Sequence, residues 1–409
     1  MFYGGFENIG YGPNIGENYP FVFNFDYYNF TPTVPIEYTN ANGSTCGIAT
    51  IETGYSCTPL LPTAVDASGL GFKSYQYSHN HAAYTMGYNF TLEYQLSPNT
   101  AVSLAYDGSQ TRHQLVQPSI INAPTEILPP GTNQSLYIPY PDFALGDTDT
   151  VDEGNSYYNA LLFKLDRHFS HGLSFLGTYT WSKVLSDAAD LLDANDKSYR
   201  AASLPGFGIQ GDYGAAEFDI RQVMHFSGGY ELPFGRGRPF LPNMTRIPNA
   251  LLGGWSTYWI LTLEDGQPQT IPCSITTTAD FGCNADFVHG ANPIGGPHNV
   301  QNYYNAAAFV NPPVATAVGQ TDYSPLGGAQ SQVVGPGFHR MDFSVFKQFK
   351  PSERTRLEFR AEFFNLTNHP NFSRPSDTNI FDPTFGVITS TRDDPNDPRE
   401  IQFALKLYW

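Results

Sequence analysis

Pro398-Arg-Glu-Ile-Gln-Phe-Ala-Leu-Lys-Leu-Tyr-Trp409 alternates with a period of two: Ile401, Phe403, Leu405, Leu407 and Trp409 fall on one side, and Glu400, Gln402, Ala404, Lys406 and Tyr408 on the other. This is the pattern of a strand with one wholly apolar and one mostly polar face. A soluble sheet can carry such a strand, but an apolar strand closing the chain is an aggregation-prone edge unless something covers it. A membrane barrel covers both exposures, with lipid on the apolar face and neighbouring strands at the edge.

Other segments repeat the pattern. Tyr84, Met86, Tyr88, Phe90, Leu92, Tyr94 and Leu96 share a face, a Ser97–Thr100 turn follows, and Val102, Leu104 and Tyr106 share the return face. This predicts a hairpin. Leu161, Phe163 and Leu165 lead through an expected Asp166–Gly172 turn into Leu173, Phe175, Gly177, Tyr179 and Trp181, a second hairpin. Phe218–Leu232 alternates more loosely through Met224, Phe226, Tyr230 and Leu232, and Trp255, Trp259, Leu261 and Leu263 continue the series. Met341, Phe343 and Val345 descend to a Lys350–Glu353 turn, and Leu357, Phe359, Ala361 and Phe363 return.

The opposite face of that return strand carries Arg356, Glu358, Arg360 and Glu362, joined by Lys406 on the terminal strand. In a dry core each charge would need a partner to offset several kcal/mol of desolvation. Facing a watery lumen the charges cost little and pair along or across strands. The solvent face of an ordinary antiparallel sheet explains them equally, until the recurrence of long, equally amphipathic strands is counted.

Connection lengths test the same idea. Short turns at 97–100, 166–172 and 350–354 alternate with long links at 5–83, 107–154, 183–217, 264–338 and 366–398, with an intermediate link at 233–254. Outer-membrane barrels have short turns on the periplasmic side and long external loops. Structureless links of this size would count against a compact soluble domain.

Composition agrees. Aromatics are 15% of the 409 residues and charged residues only 14%, with 38 Gly and 32 Pro, a profile suited to β-structure with aromatic girdles and many loops. The net charge of −17 argues against nucleic acid as a partner. No apolar run is long enough for a transmembrane helix. The opening Met1-Phe-Tyr-Gly-Gly-Phe6 is no secretory signal, so an exported protein would need sequence upstream. Cys46/Cys57 and Cys273/Cys283 are close pairs in Gly/Thr/Pro/Asn-rich, expectedly external links, which suits disulfides in an oxidising compartment.

Phe163–Lys183, Phe218–Gly237, Leu252–Leu263, Arg356–Phe372 and Phe385–Trp409 resemble the C-terminal half of the barrel of TonB-dependent outer-membrane receptors. They are most similar to the Oar-like subgroup with a carboxypeptidase-regulatory-like domain, abundant in Acidobacteria. The resemblance implies residues 1–409 as the C-terminal part of an all-β, antiparallel transmembrane barrel in a Gram-negative outer membrane. It implies Phe403, Leu405, Leu407 and Trp409 as the assembly signal read by the barrel-insertion machinery. Such barrels have about 22 strands and a plug; about ten strands are expected here, a partial first one near Phe2–Gly5 included. The signal peptide, regulatory-like domain, TonB box, plug and earlier strands are expected to lie outside this chain. Implied partners are outer-membrane lipid, the assembly machinery, an unknown extracellular ligand, and TonB only through the plug.

Few motifs suggest local chemistry. Gly206-Phe-Gly-Ile-Gln-Gly211 spells a dinucleotide fingerprint but lacks the preceding strand and following helix, so a Gly-rich loop is expected. Asp147–Glu153 and Asp187, Asp190, Asp193 and Asp196 cluster carboxylates in expected outer loops, where calcium is conceivable and a solvated acidic loop the default. His79 and His81 share one face of an extended segment with no third ligand in view. No Ser, His or Asp sits in a nucleophile-elbow frame, so neither enzyme nor cofactor is expected. The aromatic and amide-rich Tyr19–Phe30 and Tyr137–Phe143 suit sugar or other polar ligands, and ordinary loop packing equally. The readings carried forward are a receptor or transporter barrel capturing a ligand for uptake, a surface adhesin or structural barrel, and a soluble secreted β-sandwich that binds carbohydrate.

Overall fold

The computed structural model describes residues 2–3, 38–39, 45–46, 74–75, 81–116, 118, 120–141, 149–188, 201, 204–273, 275, 283–294, 300–322, 326–349, 355–392 and 398–409. One antiparallel sheet dominates. Its ten-strand path runs in chain order through β1 (Phe2–Tyr3), β2 (Tyr84–Ser97), β3 (Thr100–Val116), β4 (Asp149–Ser170), β5 (Leu173–Ser186), β6 (Gln222–Glu231), β7 (Trp255–Glu264), β8 (Phe338–Phe349), β9 (Arg356–Phe364) and β10 (Glu400–Tyr408). Each strand pairs with its sequence neighbour, and β1 and β10 are the open edges among the described residues.

Register turns the local alternation into a continuous surface. Directly opposed residues share a face, so one row runs Leu92, Leu104, Phe163, Tyr179, Met224, Leu263. Another runs Phe175, Gly228, Trp259, Phe343, Phe363, Ile401. The opposite face carries Glu93, Ser103, Lys164, Thr178, His225, Thr262 and Arg340 in one row. A slip of one residue at any pairing would mix the two sets.

The apolar face is bare. Phe90 is 62% exposed, Tyr94 and Phe403 68%, and Leu405 65%. Keeping such a side chain in water rather than buried costs about 1.5–3 kcal/mol each, so a sheet with rows of them needs lipid on that face. This overturns the soluble β-sandwich: among the described residues, no second sheet packs on the apolar face. Gly228 marks a crowded point of that face. A Cβ there would stand 2.6 Å from the Trp259 ring and 2.7 Å from the Ser174 carbonyl.

Two strand boundaries differ from the sequence reading. The expected Asp166–Gly172 turn shrinks to His171-Gly172, both with positive φ (53° and 81°), because a two-residue turn of this hand matches the twist of the strands. Asp166 and Arg167 therefore belong to β4, opposite Leu176 and Phe175. At the other end β3 reaches Val116 and β4 begins at Asp149, so much of the expected 107–154 loop is paired strand. Asp149, Asp152 and Glu153 consequently lie on β4, not in a loop. Backbone pairing wins over a polar composition that reads as a turn.

The 233–254 link holds α1 (Arg246–Leu252), which ends at Gly253-Gly254 with Gly254 at φ 73°. The Leu251 carbonyl near its end accepts from the Trp255 indole N–H at 2.9 Å and from Lys347 Nζ at 3.0 Å. Lys347 lies on the apolar face of β8, opposite Trp255 and Phe359, yet is only 2% exposed. Its ammonium sits over the Trp255 and Phe349 rings, 4.9 and 4.8 Å from their centroids. Cation–π contact and a helix C-terminus hold the charge away from lipid.

Candidate functional site

The long connections, at 117–148, 187–221, 265–337 and 365–399, all leave the sheet at the end opposite Trp409. Among the described residues, the buried apolar clusters lie there. Ile271, Ala285, Tyr304, Ala308, Phe309, Val333 and Phe385 form one buried cluster, flanked by Tyr303, Ile294 and Ile380. Val116, Val151 and Ile209 form a second, where the tips of β3 and β4 meet the 187–221 connection. These apolar residues show no period, because a loop core is assembled from scattered side chains.

Polar contacts lock the connections together. The Gly319 N–H donates to the Ile127 carbonyl at 2.8 Å, and Gln330 Nε2 donates to Asp212 at 3.0 Å. Arg374 reaches both Glu217 (3.2 Å) and the Pro268 carbonyl (2.9 Å). Gln269 Nε2 donates to the Pro375 carbonyl at 2.8 Å, and Arg392 pairs with Glu264 at 3.0 Å. Surface ion pairs of this kind contribute at most about 1 kcal/mol each. Bonds that bridge four separate connections nonetheless fix their mutual placement.

Cys273 and Cys283 are disulfide-bonded with Cα atoms 5.3 Å apart. Cys57 and the side chain of Cys46 lie outside the described residues. With a sequence separation of 10 between the two cysteines, chain-entropy reasoning assigns the bridge about 2–3 kcal/mol. Reduction, or Cys273→Ser with Cys283→Ser, is expected to lower the opening free energy of residues 271–285 by that amount. Hydrogen exchange of the Cys273 and Ala285 amides, which bond the Cys283 and Ile271 carbonyls, reads it directly. Unchanged exchange would refute the estimate.

Burial pushes the Tyr304 phenol well above its ordinary range and raises that of Tyr303. It also raises the Asp286 carboxyl, beside the short antiparallel pairing of Asp286–Phe287 with Phe309–Val310. An acid with a raised folded pKa favours the folded state below its ordinary 3.8, and that contribution is lost as pH climbs through the folded value. Asp286→Asn is therefore expected to protect residues 284–310 better than wild type at neutral pH and to flatten their pH dependence. Equal exchange of variant and wild type at neutral pH would count against this.

The other sequence candidates distribute as follows. Arg356, Glu358, Arg360 and Glu362 share one face of β9, and Lys406 stands directly across from Glu358 on β10. Glu358, 3% exposed, accepts from Arg360 Nε at 2.6 Å, and the Arg356 guanidinium lies 4.2 Å from the Tyr408 ring centroid. Phe403, Leu405 and Leu407 line the apolar face of β10, and Trp409 follows, 93% exposed. Asp187 is buried and accepts from the Asn155 backbone N–H, while Asp147, Asp190, Asp193 and Asp196 lie outside the described residues. Gly206–Gly211 forms a turn running into a short 3-10 helix at Ile209–Asp212, with no helix of the kind a dinucleotide site needs. Tyr140 is exposed on the 117–148 connection, and Tyr19–Phe30 is not among the described residues.

His79 is likewise outside them, and His81 finds different company. Its Nδ1 lies 2.9 Å from Asp152 and its ring stacks on His113, with centroids 4.7 Å apart. Sequence reasoning missed His113, for strand register alone brings it there.

A family profile described as outer membrane beta barrel domain matches residues 1–402. No curated protein sequence matches the chain. Among solved structures, the outer membrane transporter YddB from Escherichia coli is similar at 8% identity and a TM-score of 0.40, over 83% of this chain and 34% of that one. BauA, the ferric preacinetobactin receptor from Acinetobacter baumannii, is similar at 11% identity and a TM-score of 0.36, over 80% and 30%. The FrpB iron transporter from Neisseria meningitidis gives 11% and 0.36, over 83% and 33%. The chain thus spans about a third of the length of these structures. A sheet whose apolar face only lipid can cover is what the profile match requires, and the chain belongs to the outer membrane β-barrel domain family.

Proposed function

We propose that this chain is the C-terminal part of the barrel of a TonB-dependent receptor, which captures an extracellular ligand with its long connections and passes it across the outer membrane. The observation that carries the reading is the interlocked set of connections at one end of a sheet whose other face is polar. Loops that pack around their own core present a fixed binding surface, which lowers the ordering cost of capture.

In this reading Arg356, Glu358, Arg360, Glu362 and Lys406 line a watery lumen, and the alternating signs keep that lining hydrated and nearly neutral. Phe403, Leu405, Leu407 and Trp409 present the terminal strand to the assembly machinery. TonB would act through a plug domain, and the energy-coupling step would belong to that domain. The same loop platform would serve an adhesin that binds without transport; the two differ in whether a plug and TonB are engaged.

The upstream reading frame tests the proposal. A plug domain with a TonB box joined to this chain supports uptake, as does co-purification of the full-length product with the periplasmic domain of TonB. A frame that joins this chain to neither overturns transport and leaves a surface-binding barrel.

A further inference from the structure

We propose that His81, His113 and Asp152 form a binding site for a divalent first-row cation of the zinc type, at the long-connection end of β3 and β4. One potential ligand atom from each residue lies within 4.8 Å of the other two. In a tetrahedral site with bonds of 2.0–2.1 Å the donor atoms stand about 3.3 Å apart, so side-chain rotations that close the group by about 1.5 Å suffice. His81 precedes β2 and is exposed, which leaves its ring free to make that movement.

The backbone is shaped around this point. Pairing of β3 with β4 is regular up to Thr111↔Ser156, then slips to Gln114↔Gly154 and again to Val116↔Val151. His113 lies in the first irregularity and Asp152 in the second. His113 adopts φ 57°, a left-handed conformation that few non-glycine residues take. Bulges re-aim side chains, and here two in succession turn an imidazole and a carboxylate toward one spot.

The donor chemistry is suited to an ion. His113 Nδ1 lies 3.2 Å from the Asp152 backbone carbonyl. That bond places the proton on Nδ1 and leaves the Nε2 lone pair free, the outer-shell arrangement that orients metal-binding histidines. The Asp152 carboxylate is only 5% exposed, and its ion-pair partner among the described residues is His81. Arg112, the nearest cation along β3, is occupied with Asn155 at 3.0 Å and the Tyr157 ring at 4.7 Å. A hydrogen-bonded His81–Asp152 pair alone would explain the 2.9 Å contact, but not why His113 is turned in beside it. With two imidazoles and one carboxylate, a tetrahedral ion would have a fourth position left for water or a donor atom of a bound molecule. The ion would also tie the segment before β2 to the tips of β3 and β4. The site does not depend on the transport reading.

The test uses the full-length protein, purified folded in detergent and freed of metal with a chelator, and titrated with zinc alone against a chromophoric competitor. One equivalent per chain is expected, with affinity at least tenfold weaker in His113→Gln and in His81→Gln. His81 lies outside the strands, so His81→Gln keeps the barrel intact, as unchanged heat-modifiable migration would verify. Failure of the wild type to bind zinc at micromolar concentration overturns the site. So does stoichiometric binding that both variants retain.

Discussion

Phe403→Arg is expected to destabilise the membrane-inserted barrel by about 2–4 kcal/mol, the cost of an arginine near the bilayer midplane, whereas Gln402→Arg is expected to stay within about 0.5 kcal/mol of wild type. Phe403 lies near the middle of β10, is 68% exposed, and faces Ala361 across the ladder. Its ring stacks on Phe359 with centroids 6.4 Å apart, a contact the substitution also removes. Gln402 points to the other face, directly opposite Glu362, where an arginine gains a partner of opposite sign. Urea unfolding of the full-length barrel in lipid vesicles would read both. Equal costs for the two substitutions would refute the assignment of faces, because one residue of register separates lipid from water.

Tyr304→Ala acts at the other end of the molecule. Tyr304 is fully buried, packs against Tyr303 and Phe385 at centroid distances of 5.2 and 6.1 Å, and donates its hydroxyl hydrogen bond to Gln269 at 2.9 Å. Truncating a buried aromatic costs about 3–5 kcal/mol, because the cavity adds to the lost transfer energy. Tyr304→Phe, which removes only the hydroxyl, should cost about 1 kcal/mol. The loss falls on the connection core, so residues 265–337 and 365–399 should become protease-sensitive and exchange faster while β2–β10 keep their protection. Uniform destabilisation of the sheet would refute the view that the loop core is a unit of its own. An unchanged loop would refute the energetic estimate.

The strands were largely legible in the residues. Leu161, Phe163 and Leu165, or Leu357, Phe359, Ala361 and Phe363, share a face in the sequence and in the fold alike. The boundaries were less so. Asp149–Gly154 and Asp166–Ser170 are polar enough to read as loop and turn, and only pairing with β3 and β5 makes them strand. Lys347 stands on the same face as Met341, Phe343 and Val345; α1 and Trp255, brought close by the fold, supply its partners.

Two-faced strands, their approximate number and the alternation of short and long connections were determined by the sequence alone. Side-chain alternation is a property of extended backbone, and it needs no distant contact to be visible. The loop core around Tyr304, the lock between Arg374 and Glu217, and the meeting of His81, His113 and Asp152 were decided only by tertiary structure. Those residues lie far apart in the chain and show no period. Strand register and the packing of one connection on another bring them together, and a bulge of one residue in β3 sets which way His113 points.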